Sequence, residues 1–303
     1  MKIAIIGTGA IGGFYGIMLA NAGHDVHFLL RSDYGYVKEN GLTLQSDVHG
    51  AITLKNVNAY ASVNDMPRPD VILVALKTTQ NGAILPKILA KLADANNMVV
   101  LVQNGLGMEE DLTAHLPHIQ VAGGVALITS YKKGSGQVIH QDHGDLDMGS
   151  YNLREMNRLD DFVAELRGAG IAASNQRLDY LRWKKLVWNM SFNGLSVVLN
   201  STTTEILSEP ESLLRCKKIM HEVIAGAGAC GVVLPEDFAD KMIAFTHNLS
   251  TYSPSMKLDF DLSRQMEIEY LYAKPLAAAA NAGYDMQETK KLYHELIERN
   301  GFI

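Results

Sequence analysis

Residues 2–16 read KIAIIGTGAIGGFYG. An apolar run over residues 2–6 ends at Gly7. Gly7-Thr8-Gly9-Ala10-Ile11-Gly12 then spell GxGxxG where a strand should give way to a helix. The first glycine permits a tight turn, the second lets backbone approach a pyrophosphate, and the third lets helix and strand pack closely. The free N–H groups and positive dipole end of such a helix suit phosphate. Residues 10–22 carry the helical pattern, and Gly23 closes it. Lys2 and the apolar run resemble a secretory signal, but the repeated glycines break that reading. No stretch reaches the roughly 18 apolar residues of a membrane span. The chain therefore reads as cytoplasmic, with no membrane partner.

Outward from the glycines, residues 26–30 predict a second strand. The unbroken apolar runs at 71–76 and 98–102 predict strands buried on both faces. Residues 80–94 predict the helix between those two. Strands alternating with helices argue for an α/β fold, an N-terminal Rossmann-type doubly wound sheet. From about residue 177 the pattern becomes helical, over 178–199, 210–229, 236–248, 261–282 and a last helix to about 299. An all-helical C-terminal domain follows, with the boundary at Gln176: residues 1–176 bind a dinucleotide, and 177–303 carry substrate and catalysis. With no linker between them, the domains should pack directly and leave a cleft.

The bulk properties agree. A chain of 303 residues suits two domains. At 47% hydrophobic and 20% charged residues it should be globular. A net charge of -6 argues against nucleic acid, since no basic excess exists to neutralise phosphates. A small anionic ligand stays compatible with it, as does a homodimer. The two cysteines, Cys216 and Cys230, form no CxxC pair and read as reduced thiols in helices.

The end of the second strand selects the cofactor. An acid there would hold the ribose 2′-hydroxyl of NAD. This chain has Leu30-Arg31-Ser32 instead. Arg31 could pair a 2′-phosphate and Ser32 could add a hydroxyl, which favours NADP(H). The alternative is a solvated Arg31 paired with Asp33.

The most informative later segment runs from Trp183 to Leu195. Lys185, Asn189 and Asn193 recur every four residues. At about 100° per residue they share one stripe. The rest of the circumference is mostly Leu, Val, Trp, Met and Phe, which marks a buried helix. A lysine and two amides buried there must find partners, so the stripe should face an internal polar cavity. Ser255, Asp259 and Glu267 would share a face if their region is one helix, with Pro254 marking its start.

Together these residues resemble the ketopantoate reductase (2-dehydropantoate 2-reductase) family. KIAIIGTGAIGGFYG looks like the family's opening. Lys77 after the strand 71–76, the Gln103-Asn104-Gly105-Leu106-Gly107 motif and the hairpin from Gly136 to Gly149 are similar too. So are Trp183-x-Lys185-Leu186 with Asn189 and Asn193, and Ser255-Met256, Asp259 and Glu267-Ile268. The resemblance implies reduction of 2-dehydropantoate to pantoate with NADPH, a step of pantothenate and coenzyme A biosynthesis. It implies that Lys185 is the general acid and that Glu267 supports it. Asn189 and Asn193 would hold the substrate, Ser255 its carboxylate end, with Asp259 in the same set. Lys77 and Asn104 would contact the nicotinamide half. The family's Asn-Gly pair after Glu267 is replaced by Leu271-Tyr272-Ala273, and Pro275 falls inside an expected helix.

His140 and His143, with Asp142 and Asp145, read as surface polar groups of a hairpin, with no metal required. Rival functions are a reductase of another small 2-oxo acid, a β-hydroxyacid dehydrogenase and a non-catalytic NADP(H) sensor. The sensor would have no need for a lysine and two amides on a buried helix.

Overall fold

The computed structural model describes residues 1–155, 157–249 and 253–300. Its strands are β1 (Lys2–Ile6), β2 (Asp25–Leu29), β3 (Leu42–Ser46), β4 (Gly50–Leu54), β5 (Asn58–Tyr60), β6 (Val71–Val74), β7 (Met98–Leu101), β8 (Gln120–Gly134), β9 (Gln137–Ser150) and β10 (Ala173–Asn175). They form one sheet in the order β4-β3-β9-β8-β7-β6-β1-β2-β5, with β10 on β9. β1 pairs in parallel with both β2 and β6, so Ile3 lies opposite Val26 on one side and Val71 on the other. The chain runs outward from β1 in both directions, which creates the switch point where doubly wound sheets bind ligands. β6 and β7 are buried throughout, as unbroken apolar strands should be.

The helices of this unit are α1 (Ala10–Asn21), α2 (Tyr34–Asn40), α3 (Leu85–Leu92), α4 (Met108–His115) and α5 (Asn157–Gly168). The helix expected at 80–94 is shorter. A 3₁₀ turn at Thr78–Gln80 comes first, and α3 starts with Pro86 in its first turn. Proline lacks an N–H and is tolerated only in a helix's first turn, so the helix cannot extend back through it. The core packs Ile3, Ile5, Phe14, Ile17, Phe28, Leu73 and Val100 between sheet and helices.

A second compact unit holds residues 104–107 and the chain from Asp179 onward; residues 1–103 and 108–178 make the first. Its helices are α6 (Leu178–Trp188), α7 (Gly194–Val198), α8 (Thr203–Ser208), α9 (Pro210–Ala229), α10 (Phe238–His247), α11 (Ser255–Asp261), α12 (Lys274–Asn281) and α13 (Gln287–Asn300). Trp183, Leu186, Met190, Phe192, Val223 and Leu292 belong to its separate core. The mixed α/β first unit and helical second unit are the expected fold class. None of the described helices is long and apolar enough to cross a membrane.

Two expectations need correction. The stretch 261–282 is not one helix. α11 ends at Asp261, Ser263 adopts φ 50, and the Arg264 N–H returns to the Asp259 carbonyl at 2.8 Å. The next helix begins after Glu267, first as a π-helical stretch, Glu269–Ala273, then as α12. Ser255 and Asp259 therefore lie on α11 and Glu267 does not. Pro254 does precede the first residue of α11. The second correction concerns His140, which is fully buried. It lies against Phe14 with ring centroids 4.4 Å apart and hydrogen-bonds the Ser46 hydroxyl at 2.8 Å. Burial holds its pKa below the usual histidine value.

Candidate active site

The carboxyl ends of β1, β2 and β6 carry the candidate cofactor residues of the first unit. Gly7 follows β1 at φ 98, and a Cβ there would lie 2.6 Å from the Leu76 nitrogen. Only glycine fits so close to the exit of β6. At Gly12 a Cβ would overlap the Gly7 carbonyl and lie 3.1 Å from the Ala75 Cβ. Gly9 differs, since a Cβ there would meet nothing within 4 Å. It faces open space at the start of α1, whose first turn has no acidic residue and whose N-cap provides no side-chain bond. Ala10 and Ile11 supply the first helical N–H groups. The Thr8 hydroxyl is turned away, donating to the Leu29 carbonyl at 3.1 Å, which ties the turn to the end of β2. A glycine that leaves room and a helix end with uncapped N–H groups fit a pyrophosphate.

Arg31 is exposed just past β2. Its suspected partner, Asp33, is bound to Lys132 instead. Lys77 is exposed beyond the end of β6. Gln103, quoted in the motif but given no role, bridges the exits of β6 and β7. Its Nε2 donates to the Leu76 carbonyl at 2.8 Å and to Asn81 Oδ1 at 2.7 Å. A lone glutamine after a strand carries no sequence signal that would have marked it.

In the second unit the polar stripe lies on a helix whose winding changes. α6 gives way at Asn189–Asn193 to a π-helical stretch, and α7 resumes at Gly194. The regular stripe expected of one α-helix is thus opened by a wider turn. Such a turn frees carbonyls, and side chains take them up. The Ser191 hydroxyl donates to the Val187 carbonyl at 2.8 Å, and the Tyr272 hydroxyl to the Met190 carbonyl at 2.8 Å. Asn189 and Asn193 are 3% and 2% exposed, so this is no solvated face.

Lys185 is half-buried on α6. Burial lowers its pKa to about 8. Poorly hydrated ammonium ions lose their proton readily, which is the property a proton donor near neutral pH needs.

Asn193 Oδ1 accepts the Met256 N–H at 3.3 Å, which anchors the first turn of α11 and so the position of Ser255. Ser255 is exposed, whereas Asp259 is buried and bound to Arg264 at 3.1 Å. Glu267 is half-buried just before the second π-helical stretch. That stretch also holds the Asn104 loop. Asn104 is half-buried, Gly105 has φ 115, and the Leu106 N–H donates to the Tyr270 carbonyl at 2.9 Å. Among the described residues no group of three His, Cys, Asp or Glu side chains could hold a metal ion.

Family models match both parts of the chain. Ketopantoate reductase PanE/ApbA matches residues 3–152, and the C-terminal model of the same family matches residues 177–300. A 2-dehydropantoate 2-reductase of Nostoc sp. is 42% identical, over 97% of this chain and 94% of that protein. The crystal structure of a 2-dehydropantoate 2-reductase from Geobacter metallireducens covers 98% of this chain and 99% of its own, at 36% identity and a TM-score of 0.94. A D-mandelate dehydrogenase in ternary complex with NADH and anilino(oxo)acetate has a TM-score of 0.87 over 100% of this chain and 99% of its own. At 21% identity that likeness is one of fold. With both halves matched by its models and a relative of such identity along nearly the whole length, the chain belongs to the ketopantoate reductase family.

Proposed function

We propose that the protein reduces 2-dehydropantoate to pantoate with NADPH, as a step of pantothenate and coenzyme A biosynthesis. Residues 1–176 hold the cofactor, and residues 177–303 hold the substrate and the proton donor. The observation that carries the reading is Lys185, a half-buried ammonium with pKa lowered to about 8, one helical turn from the buried Asn189. A bound nicotinamide dinucleotide supplies the hydride.

The chain's own groups do the rest. The Gly7–Gly12 turn and the first turn of α1 hold the pyrophosphate through backbone N–H groups. Arg31 pairs the 2′-phosphate. Lys77 and Asn104 orient the nicotinamide half. Asn189 and Asn193 hold the 2-oxo acid, with Asn193 also setting the place of Ser255, which receives the carboxylate end. The Lys185 ammonium stabilises charge developing on the ketone oxygen and transfers its proton there. Glu267 supports the charged form of the lysine. Asp259 is assigned to the same substrate-binding set, where its pairing with Arg264 orders the end of α11.

The test is a panel of small 2-oxo acids assayed for NADPH and NADH oxidation. 2-Dehydropantoate should have the highest kcat/KM. A tenfold preference for another 2-oxo acid would change the substrate and leave the chemistry in place. Binding of NADPH without turnover on any of them would support the sensor reading instead.

A further inference from the structure

The end of β2 carries no acid up to Arg31, but one stands two positions after it, at Asp33. Asp33 is 7% exposed, and its carboxylate is surrounded by donors. Lys132, from the long β8–β9 hairpin, places its ammonium on Oδ2. The Gly136 N–H, at the tip of the same hairpin, reaches Oδ2 at 3.2 Å, and the Ser32 hydroxyl reaches Oδ1 at 3.2 Å. Burial alone would raise this carboxyl's pKa; the hydrogen bonds from Lys132 and Gly136 overcome that and hold it below the usual carboxylate range. Asp33 is therefore ionised and neutralised within one cluster, while Arg31 stays exposed.

Chain geometry makes this matter for ligands. Only Ser32 separates Arg31 from Asp33, so their Cα atoms are at most about 7 Å apart. That is within the screening length of about 8–10 Å at physiological salt. An unneutralised Asp33 would repel a phosphate dianion brought to Arg31. It would also compete with that phosphate for the guanidinium, and its oxygens would be free to accept ribose hydroxyls, as the acid of an NAD site does.

We propose that Lys132 is a specificity-determining residue, which by neutralising Asp33 leaves Arg31 uncommitted and makes the end of β2 a site for a ribose 2′-phosphate. The proposal rests on the NADP(H) reading above. Lys132 need not touch the cofactor. Its role is to cancel a carboxylate that would otherwise favour the unphosphorylated ribose.

The test uses the purified full chain and two cofactor fragments, adenosine 2′,5′-bisphosphate and 5′-AMP, with dissociation constants from titration calorimetry. The wild type should bind the bisphosphate more tightly. Lys132→Gln should lower that preference by about tenfold, chiefly by weakening the bisphosphate, with the deficit shrinking as salt rises. Adding Asp33→Asn to it should restore the preference, because the repelling charge is gone while an acceptor for the Gly136 N–H remains. Lys132→Arg should keep the preference, and so should Asp33→Asn alone, which guards against a Lys132→Gln chain that does not fold. A wild type indifferent to the 2′-phosphate overturns the NADP(H) reading and this proposal with it. A wild type that discriminates beside an unchanged Lys132→Gln overturns this proposal alone. Failure of Asp33→Asn to restore binding would mean that Lys132 holds the phosphate itself, and the neutralisation argument would fall.

Discussion

The Tyr272 hydroxyl donates to the Met190 carbonyl at 2.8 Å, so one π-helical stretch holds another open. Met190 lies between Asn189 and Asn193, and its carbonyl leaves the regular helical ladder where the turn widens. Gly194 makes the contact possible, because a Cβ there would overlap the Tyr272 hydroxyl and lie 2.7 Å from Leu292 Cδ2. Tyr272→Phe removes the hydroxyl that donates to the Met190 carbonyl and accepts from the Gly194 N–H, at a cost of about 1–3 kcal/mol. Turnover should fall severalfold with NADPH affinity unchanged. Gly194→Ala should destabilise by roughly 1–3 kcal/mol through overpacking. Melting temperature with cofactor titration reads both; an unaltered melting temperature in Tyr272→Phe would remove the bond from the account.

Pro275 explains the second π-helical stretch. The Lys274 N–H bonds back to the Glu269 carbonyl, five residues earlier. The same step would pair the Tyr270 carbonyl with residue 275, and proline has no N–H to give. The Leu106 N–H occupies that carbonyl at 2.9 Å, so the proline opens a place for the Asn104 loop. Pro275→Ala restores a competing donor. The Leu106 amide should then exchange its hydrogen faster, and turnover should drop as the loop loosens. Unchanged protection at Leu106 would show that the loop is held by other contacts.

The GxGxxG turn was legible because Gly7 and Gly12 answer steric demands that no other residue meets, while Gly9 leaves open space at the start of α1. The polar stripe was legible because Asn is costly on an apolar helix. The break after Asp261 was not, because Ser263 takes the positive φ that usually signals itself as glycine. The π-helical stretches have no local pattern; only Pro275, out of place in a helix, pointed to one. The burial of His140 did have a signal. In β9, Val138 and His140 alternate onto the buried face while Gln141 does not, and the period of two outranks the polarity of one residue. Lys132 could not be read as a partner of Asp33, since a hairpin brings together residues 99 apart.

Arg31→Ala should weaken NADPH much more than NADH. Arg31 is exposed at the end of β2 and Asp33 is committed elsewhere, so removing it would delete the proposed phosphate partner and break no ion pair with Asp33. Melting temperature should stay within about 0.5 kcal/mol equivalents of the wild type, as for a surface change. Equal losses for both cofactors, in dissociation constants measured by nicotinamide fluorescence, would refute the 2′-phosphate assignment.

Lys185 makes the sharpest claim, because its pKa ties rate and stability to one pH range. Lys185→Ala should cut turnover by roughly 10² to 10⁴, the range for a positioned proton donor. NADPH affinity should change little. Lys184, one residue before it and about 100° around the helix, should tolerate the same change. With Lys185 as the proposed proton donor, reduction would need the ammonium, so kcat/KM for the 2-oxo acid should fall as pH rises through about 8. That limb should vanish in the variant, and Glu267→Ala should move it to lower pH if the carboxylate holds the ammonium charged. The sign for stability is opposite to that of an ion-paired lysine. A folded pKa of about 8 lies below the ordinary lysine value of 10.5, so the folded chain binds fewer protons between them. The penalty of burying the charge is full below about 8 and is relieved as pH climbs toward 10.5. Wild type should therefore gain stability relative to Lys185→Met across that interval, in denaturant titrations at fixed salt. A purely structural lysine predicts a different pair of results, namely a lower melting temperature in Lys185→Ala and an unchanged shape of the pH–rate profile. If Lys184→Ala is the more damaging variant, the polar stripe is on the wrong face of the helix.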